Sequence, residues 1–493
     1  MHLRSLVAVL LSLFAVLLSL FACCNRTEGA SERVNLSHLD HLYKEVALSG
    51  REAALIHIYA EAPGFDPVGV EGEGLACVDD VARAVIVYMG DYASYRDLNS
   101  LEKSRRLVEF LYHLQHADGT FHNFVWPDLS INRTGKTSFR SIGFWAARAV
   151  WALGYYAVRE PDPVRARCAI DAARQTLDVL ERFVSLRYNR WRIHQGVRLP
   201  AWFPGDSICV AAIYLLGMTE LYAVDPRTRD LGLMSRITEG IIACQTASGS
   251  DFPYGAHLPY ALDSRVWHGW GNRMSQALLL PGLPGLPWVD AGRCSARLEA
   301  STFLPWIRAT QIPSHMDPDP VAREVIAYGV GPIVSTLMGL ARLDGDDDYA
   351  RLAGLFASWF RGNNPAGAIM YDPESGRCLD GIAPEKVNRN SGAESTIEAL
   401  LALQSIQDSD LALEYSRSRT LKSDSWKKPM LQSGYQARFR IGSGRFALLK
   451  YDFVEPGFEL IESGHLEEML SSGRPHVLPR DVPPCTPLPG HDP

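Results

Sequence analysis

The sequence lacks the excess of positive charge that is typical of a nucleic-acid-binding protein. Its 56 acidic residues outnumber its 49 lysines and arginines, which gives a formal net charge of −7, and no basic patch is evident. Because phosphate backbones are bound mainly through clustered lysine and arginine, we expect no nucleic-acid partner. The 9 cysteines include no Cys-x-x-Cys pair, so the spacing indicates no metal site, and we expect no cofactor.

Long apolar runs are also scarce, and the longest lies between Leu6 and Phe21. It follows a short basic stretch and ends at a small residue before Cys23, which is the layout of an export signal and not of a membrane span. A cysteine at the cut site resembles the bacterial lipobox and predicts a lipid on Cys23; an ordinary secreted protein is the alternative. We therefore predict a signal peptide at 1–22, a linker at 23–34 and a lipid anchor in a bacterial cell envelope, with the protein facing the periplasm or the cell surface.

Strand-like alternation is scarce before residue 430, whereas helical periodicity runs through most of the chain. Alternate segments, such as 140–158 and 206–223, are apolar nearly all round, and those between them have a charged face, as expected for the inner and outer helices of a double ring. This pattern predicts an all-α fold, an (α/α)6 toroid of six helical hairpins over residues 35–425. The predicted helices lie near 35–60, 78–95, 100–117, 140–158, 163–186, 206–223, 228–245, 272–281, 289–308, 321–342, 346–360 and 391–405.

The pattern changes towards the C-terminus. Residues 435–441 and 446–453 alternate between apolar and polar positions, which indicates strands. We predict a small β appendage at 426–475 and a proline-rich tail at 476–493.

Two motifs place carboxylates where a loop turns into an apolar helix. The first reads Cys-Val-Asp-Asp-Val-Ala-Arg-Ala from Cys77, and the second reads Asn-Arg-Asn-Ser-Gly-Ala-Glu-Ser-Thr from Asn388. If the ring closes, Asp80 and Glu394 face each other across a cavity, with Asp79 beside them. Two such carboxylates are the minimum for general acid and base chemistry on a glycosidic bond.

Each carboxylate also has a structural explanation. Asp79 and Asp80 suit a helix N-cap and can pair with Arg83, and Glu394 has the position of a capping-box glutamate. A helix N-terminus favours the charged form of Glu394, whereas a general acid must hold its proton. Neighbouring carboxylates or apolar burial would therefore have to raise the pKa of Glu394.

Further polar and aromatic residues lie at the predicted N-terminal rim of the inner helices or in the loops above it. Aromatic rings above polar groups suit sugars, whose C–H faces stack while their hydroxyls need hydrogen-bond partners. Structural roles compete here as well, since Asp206 suits an N-cap and Glu324 a first-turn position. Neither His122 nor His268 has an i, i+4 partner suited to a metal. The substrate-binding candidates are Asp206, Arg140, Asn272, Glu324, His122, Trp126, Trp202, Trp267, His268 and Trp270.

The two motifs resemble the signatures of a poorly characterised (α/α)6 domain that also occurs attached to bacterial glycosyltransferases. Shorter pieces are similar to glycoside hydrolase family 9, in which an aspartate pair near the first inner helix activates water and a glutamate of the terminal helix is the acid. That family's pair is Asp-x-x-Asp, whereas Asp79 and Asp80 are adjacent and diverge by about 100° on a helix. The resemblance covers most of residues 70–405 and includes 205–207, 359–367, 371–373 and 376–381.

The resemblance and the two carboxylates together predict an exported glycoside hydrolase of a poly- or oligosaccharide. The expected mechanism is inverting, with Glu394 as acid and Asp80 as base. Three alternatives stay open. A polysaccharide lyase or epimerase on the same toroid would use a tyrosine or histidine, such as His257 or His268, beside an arginine such as Arg140. A phosphorylase would need a phosphate site, and a non-catalytic glycan-binding lipoprotein would need the tryptophans without the acids.

Overall fold

The computed structural model describes residues 33–194, 197–246, 255–259, 267–283, 285–309, 315–316, 324–383, 386–421, 434–452 and 457–465. From Val34 onward the chain forms one compact unit. The predicted signal peptide, Cys23 and the proline-rich tail lie outside the described residues and stay predictions, as do the predicted domain boundaries. Within the described ranges, no helix combines the length and apolar character needed to cross a bilayer.

Helices dominate the described part of the chain. They are α1 (Ser37–Leu42), α2 (Val78–Tyr95), α3 (Leu98–Leu114), α4 (Phe144–Arg159), α5 (Pro163–Arg187), α6 (Ile208–Val224), α7 (Thr228–Ile242), α8 (Met274–Leu278), α9 (Pro287–Ala309), α10 (Ala327–Asp344), α11 (Asp347–Ala357), α12 (Ala393–Ile406) and α13 (Asp410–Ser416). A single 3-10 turn, Pro204–Asp206, precedes α6.

From α2 onward, consecutive helices form six hairpins. The inner helices α2, α4, α6, α8, α10 and α12 contact one another in that order, and α12 returns to contact α2. In the first five hairpins the outer helix packs against its own inner helix, whereas α13, which follows α12, packs mainly against α11. This closed ring confirms the predicted (α/α)6 toroid.

The inner helices are apolar because they are covered on both sides. Most residues of α6 are buried, and the packing between α4 and α6 leaves no room for side chains at two glycines. A Cβ at Gly217 would lie 2.8 Å from the backbone nitrogen of Trp151, and one at Gly154 would lie 2.8 Å from the carbonyl oxygen of Gly217. These two glycines therefore set the close approach of neighbouring inner helices.

The expected helix at 35–60 is wrong. The segment instead forms α1 followed by a β-hairpin of β1 (Tyr43–Leu48) and β2 (Arg51–Ile56). Its two-residue turn has φ of 50° at Ser49 and 77° at Gly50, which suits a tight hairpin. The last helix, α13, was not predicted from the sequence.

The remaining strands are mostly short pairs in the loops at the N-terminal rim of the inner helices. They are β3 (Tyr59–Glu61), β4 (Asp66–Val68), β5 (Ala76–Cys77), β6 (Phe124–Val125), β7 (Trp191–His194), β8 (Val197–Pro200), β9 (Trp267–His268), β10 (His315–Met316), β11 (Val325–Ile326), β12 (Tyr371–Asp372), β13 (Arg377–Cys378), β14 (Gly381–Ile382), β15 (Val387–Asn388), β16 (Arg419–Thr420), β17 (Gly434–Arg440), β18 (Phe446–Asp452) and β19 (Gly457–Ser463).

The last four strands confirm the small C-terminal β appendage. They form one antiparallel sheet in the order β16-β17-β18-β19. This sheet packs against α9, where the guanidinium of Arg308 lies 4.9 Å from the centre of the Phe439 ring. Strands β17 and β18 match the predicted strands closely, and β19 is additional.

Candidate active site

A cavity of about 530 Å³ opens at the N-terminal ends of the inner helices. The first turns of four of these helices line it, which places both carboxylate motifs in one pocket although they are some three hundred residues apart in the sequence. The lining residues from those turns are Asp79, Asp80, Phe144, Trp145, Ala327, Tyr328, Glu394 and Ser395. Closure of the ring by α12 against α2 is therefore what creates the site.

A buried arginine, Arg83, joins the two motifs. Its Nη2 donates to Asp80 Oδ1 at 2.7 Å and to Glu394 Oε2 at 3.3 Å. Its Nη1 donates to Glu398 Oε1 at 3.0 Å, and its Nε lies 3.5 Å from Asp79 Oδ1. Since Asp80 and Glu394 contact the same nitrogen, the two contacting oxygens are at most about 6 Å apart, the sum of the two distances.

Two more buried arginines extend this network towards the ring axis. Arg148 Nε lies 2.9 Å from Asp79 Oδ1, and Arg148 Nη2 donates to the Tyr328 hydroxyl at 2.5 Å. Arg273 Nη2 donates to Glu398 Oε2 at 2.6 Å. The ring of Tyr328 lies 5.1 Å from the guanidinium of Arg83 and 5.4 Å from that of Arg148. Four carboxylates and three arginines thus form one connected network, of which Asp79, Asp80, Arg83 and Glu394 line the cavity.

The carboxylates differ in their access to the cavity. The side chain of Asp80 is 5% exposed, that of Asp79 is 28% exposed and that of Glu394 is 44% exposed. Asp80 therefore serves mainly to hold Arg83, whereas Asp79 and Glu394 can meet a bound molecule. This order of exposure favours Asp79 as the general base, whereas the sequence favoured Asp80.

None of the three acids caps its helix. The N-cap of α2 is Cys77, whose Sγ accepts from the Asp80 backbone N–H at 3.4 Å. The N-cap of α12 is Gly392, which has no side chain for this purpose, so the expected capping box around Glu394 does not form. The capping explanation is thus excluded for all three acids, whereas the expected pairing with Arg83 is formed by both Asp79 and Asp80.

Enclosure by protein atoms raises the pKa of Glu394 to about 7. Arg83 opposes this shift, while the negative charges of Asp80 and Asp79 reinforce it. Burial also raises the pKa of Asp80. Burial alone would raise the pKa of Glu398 too, but Arg273 and Arg83 outweigh it and hold that pKa below its ordinary value. A carboxyl with a pKa near neutrality can both hold and release a proton at neutral pH, as a general acid must.

Two of the ten substrate-binding candidates, Glu324 and Trp270, line the cavity. Burial, followed by the charge of Asp380, raises the pKa of Glu324. Asp380 also lines the cavity, and its Oδ1 accepts from Ser395 Oγ at 2.6 Å and from the Gly392 backbone N–H at 2.9 Å. This acidic pair forms one wall of the pocket.

Two of the expected aromatic contacts are wrong because their tryptophans belong to the core. Trp202 is fully buried, and its Nε1 donates to the Arg236 carbonyl oxygen at 3.1 Å. Trp267 is fully buried against Phe303, with ring centres 4.8 Å apart. Neither ring is available to a sugar.

The other six candidates lie outside the described lining of the cavity. Arg140 forms an exposed ion pair with Asp118, and Asp206 pairs with Arg192 at 2.7 Å. His122 Nδ1 and His116 Nε2 are 2.6 Å apart in a hydrogen bond. Asn272 is buried, while Trp126 and His268 are partly buried.

The residues proposed for a lyase or epimerase are not gathered here either. His257 is buried away from the pocket, where its backbone N–H donates to Glu299 Oε1 at 2.8 Å. No histidine stands among the described lining residues. Within the described ranges, no group of three or more His, Cys, Asp or Glu side chains is arranged to hold a metal ion.

Sequence reasoning missed several residues of the site. Arg148 and Glu398 are charged residues inside helices that are otherwise apolar, and Glu398 stands one turn after Glu394. An isolated charge on a helix that is buried on all sides is a usable signal, because it requires a partner in the interior. Trp145 and Tyr328 follow the starts of α4 and α10 and could have been placed at the same rim.

No protein-family model matches the sequence, and no curated protein has a significantly similar sequence. Solved structures do share the fold. They include a cellobiose 2-epimerase from Bacillus thermoamylovorans, with a TM-score of 0.54, 11% identity and coverage of 76% of this chain and 96% of that one. A cellobiose 2-epimerase from Spirochaeta thermophila has a TM-score of 0.51, 16% identity and coverage of 77% and 94%. A sugar epimerase from a ruminal bacterium has a TM-score of 0.50, 11% identity and coverage of 75% and 94%. At these identities the likeness establishes the toroid and not the reaction.

Proposed function

We propose that this protein hydrolyses glycosidic bonds, with Glu394 as the general acid and Asp79 as the general base. The observation that carries the proposal is that Glu394 and Asp79, two carboxylates with accessible side chains, line one cavity and contact the same arginine. The pKa of Glu394, raised to about 7, suits a general acid. Glu394 would protonate the leaving oxygen, and Asp79 would take a proton from the attacking water.

The geometry favours Asp79 over Asp80 as the base. Inverting enzymes separate their two carboxyls by roughly 6.5–9.5 Å to leave room for water. The contacting oxygens of Asp80 and Glu394 lie within about 6 Å, and Arg83 Nη2 contacts both of them. Asp79 lies 3.5 Å from a different nitrogen of the same guanidinium, Nε, so the shared contact that limits the Asp80–Glu394 separation does not apply to Asp79.

The cavity walls suit an uncharged sugar. Trp145 and Trp270 provide aromatic surface, and Asp380 and Asn388 provide hydrogen-bonding oxygens and an amide. The volume of about 530 Å³ lies within the range of small-ligand sites. A carbohydrate is therefore the substrate class that we propose.

The test is product release from a panel of poly- and oligosaccharides by the purified protein. We expect Glu394→Gln and Asp79→Asn each to lower the rate by about 10²–10⁴-fold, the usual contribution of an acid or base. Glu102→Gln, which changes an exposed carboxylate on α3, is the matched control and should keep full activity. Equal release from Glu394→Gln and the control would remove Glu394 from the mechanism.

Epimerisation is the second candidate, because Tyr328 lies in the cavity beside Arg148. A tyrosine base would have to lose its proton, yet burial raises the pKa of Tyr328 well above neutrality. The same panel separates the two reactions: hydrolysis releases new reducing ends, whereas epimerisation changes the sugar and leaves the chain length unchanged. Epimer formation that survives Glu394→Gln and is lost in Tyr328→Phe would favour this candidate.

We also propose that the protein is exported and held at the cell envelope by a lipid on Cys23. The support is the sequence pattern before that residue. Replacement of Cys23 by Ser should move the protein from the membrane fraction to the soluble fraction. An unchanged distribution would contradict the anchor without affecting the proposed reaction.

A further inference from the structure

Asp380 immediately precedes β14, and its side chain lines the cavity of the candidate active site. Its Oδ1 accepts from the Gly392 backbone N–H at 2.9 Å and from Ser395 Oγ at 2.6 Å. Gly392 is the N-cap of α12, and Ser395 lies in the first turn of that helix. Oδ1 therefore satisfies donors at the start of α12, which is the role that a capping-box side chain would otherwise have.

The two oxygens of the Asp380 carboxylate have different surroundings. Both hydrogen bonds go to Oδ1, and Oδ2 accepts none within the described chain. Oδ2 also does not belong to the enclosed polar atoms that lack a partner, whereas Oε1 of the nearby Glu324 does. Since Asp380 lines the cavity, its Oδ2 is open to that cavity, and Glu324 Oε1 is shut off from it. An open carboxylate oxygen accepts hydrogen bonds from whatever enters.

The first turn of α12 fixes Asp380 relative to the proposed general acid. Glu394 belongs to the same turn and directly precedes Ser395, to which Asp380 is bonded. Both carboxyls line one cavity. A sugar unit whose glycosidic oxygen contacts Glu394 therefore presents its ring hydroxyls near Asp380.

Asp380 is also held in place by its backbone. Its N–H donates to the Asn390 carbonyl oxygen at 2.8 Å, and β14, which follows it, pairs with both β11 and β15. Burial raises the pKa of Asp380, while the hydrogen bonds from Ser395 and Gly392 oppose that shift. An acceptor that is already ordered loses little freedom when a sugar binds. A site with such a fixed acceptor for a hydroxyl discriminates strongly against an analogue that lacks the hydroxyl.

We propose that Asp380 is a specificity-determining residue, whose Oδ2 accepts a hydrogen bond from one free ring hydroxyl of the sugar unit that contacts Glu394. This inference rests on the proposed function, because it requires a sugar in this cavity. It narrows the substrate class to saccharides in which that hydroxyl is unsubstituted. A methyl, sulfate or phosphate group at the same position would remove the donated hydrogen and would also crowd the carboxylate.

Asp380→Asn changes the open edge of the side chain and keeps the rest. The amide oxygen can take the place of Oδ1 and accept from Gly392 and Ser395, whereas the amide nitrogen takes the place of Oδ2 and cannot accept. Asp128→Asn is the matched control. Oδ1 of the exposed Asp128 also accepts from a backbone N–H and a hydroxyl, both of Ser130, and Asp128 does not line the cavity.

The experiment is calorimetric titration of the full chain with methyl glycosides of glucose, galactose, mannose and xylose, together with deoxy analogues that each lack one hydroxyl. For a glycoside that binds the natural protein, Asp380→Asn should weaken binding about 10–100-fold, as expected for a hydrogen bond to a charged group. Asp128→Asn should bind as the natural protein does. One deoxy analogue should bind the natural protein weakly, and Asp380→Asn should weaken its binding no further.

This lack of additivity at one hydroxyl is the result that identifies the contact, because a general distortion of the site would weaken every analogue by the same factor. Circular dichroism checks that both variants keep their helices. Equal binding by the two variants, additive losses at every hydroxyl, or no saturable binding of any glycoside would overturn the inference. Binding is measured without turnover, so a natural protein that shows this contact and yet releases no product from the polysaccharide panel would refute hydrolysis and leave the contact standing.

Discussion

The buried carboxylate of Glu398 provides a sharp test of the network at the ring axis. Glu398 has no exposed side-chain surface and joins Arg83, at 3.0 Å, to Arg273, at 2.6 Å. In Glu398→Gln, Arg83 keeps three other carboxylates, whereas Arg273 loses the one carboxylate with which it forms an ion pair in the described chain. Removing one partner of a buried pair costs about 3–5 kcal/mol, because a charge is left buried and unpaired.

Denaturant unfolding at neutral pH measures this loss. The matched control is Glu102→Gln, which removes exposed contacts to Arg105 and Arg106 and should cost no more than about 1 kcal/mol. The pKa of Glu398 is lowered in the folded state, so its contribution is present above the unfolded pKa of about 4.3 and is lost as the pH falls through the folded pKa. The difference between natural protein and variant should therefore shrink in acid. Equal unfolding free energies for the two variants at neutral pH would refute the reasoning.

Three further predictions concern stability and binding. Because the pKa of Glu394 is raised in the folded state, its contribution to stability is present below the unfolded pKa and is lost as the pH rises towards 7. Glu394→Gln should therefore be more stable than the natural protein at pH 8, about one unit above the folded pKa. In acid the two proteins should have similar stability, and thermal unfolding measures both. Trp270→Ala should raise the KM for the sugar with little loss of stability, whereas Trp202→Ala should cost about 3–5 kcal/mol of unfolding free energy. Gly217→Ala should destabilise by about 1–3 kcal/mol through its clash with α4, as measured in denaturant.

Much of the ring could be predicted because its inner helices have a sequence pattern of their own. A helix such as α6, covered on both sides, is apolar all round, and this distinguishes it from its outer partner. The segment at 35–60 was predicted as a helix, but its apolar residues also suit a strand pair, and the turn at Ser49 and Gly50 decides between the two. The short α13 leaves too few turns for a periodicity to be detected.

The position of the site follows from closure of the helical ring and could be predicted from the sequence. The direction in which individual side chains point could not. Both carboxylate motifs share a cavity, as the ring required. Which of two adjacent aspartates faces that cavity depends on a rotation of about 100° about the axis of α2, which no local pattern fixes. Two of the four tryptophan candidates lie in the core for a related reason: a glycine-containing loop can fold an indole inward, as it does for Trp267.

The sharing of Arg83 explains how Glu394 can act as an acid at a helix N-terminus. The guanidinium of Arg83, 3.3 Å from the carboxylate, and the positive end of α12 would both lower the pKa of Glu394. Arg83, however, also pairs with Asp80, Asp79 and Glu398, so its charge is divided among four carboxylates. Enclosure in the cavity is the main cause of the raised pKa of Glu394, and the other three carboxylates, Asp80, Asp79 and Glu398, add to it by repelling the negative form. The proton on Glu394 is therefore held by enclosure and by the surplus of carboxylates around one arginine, an arrangement that exists only because the first and last inner helices meet.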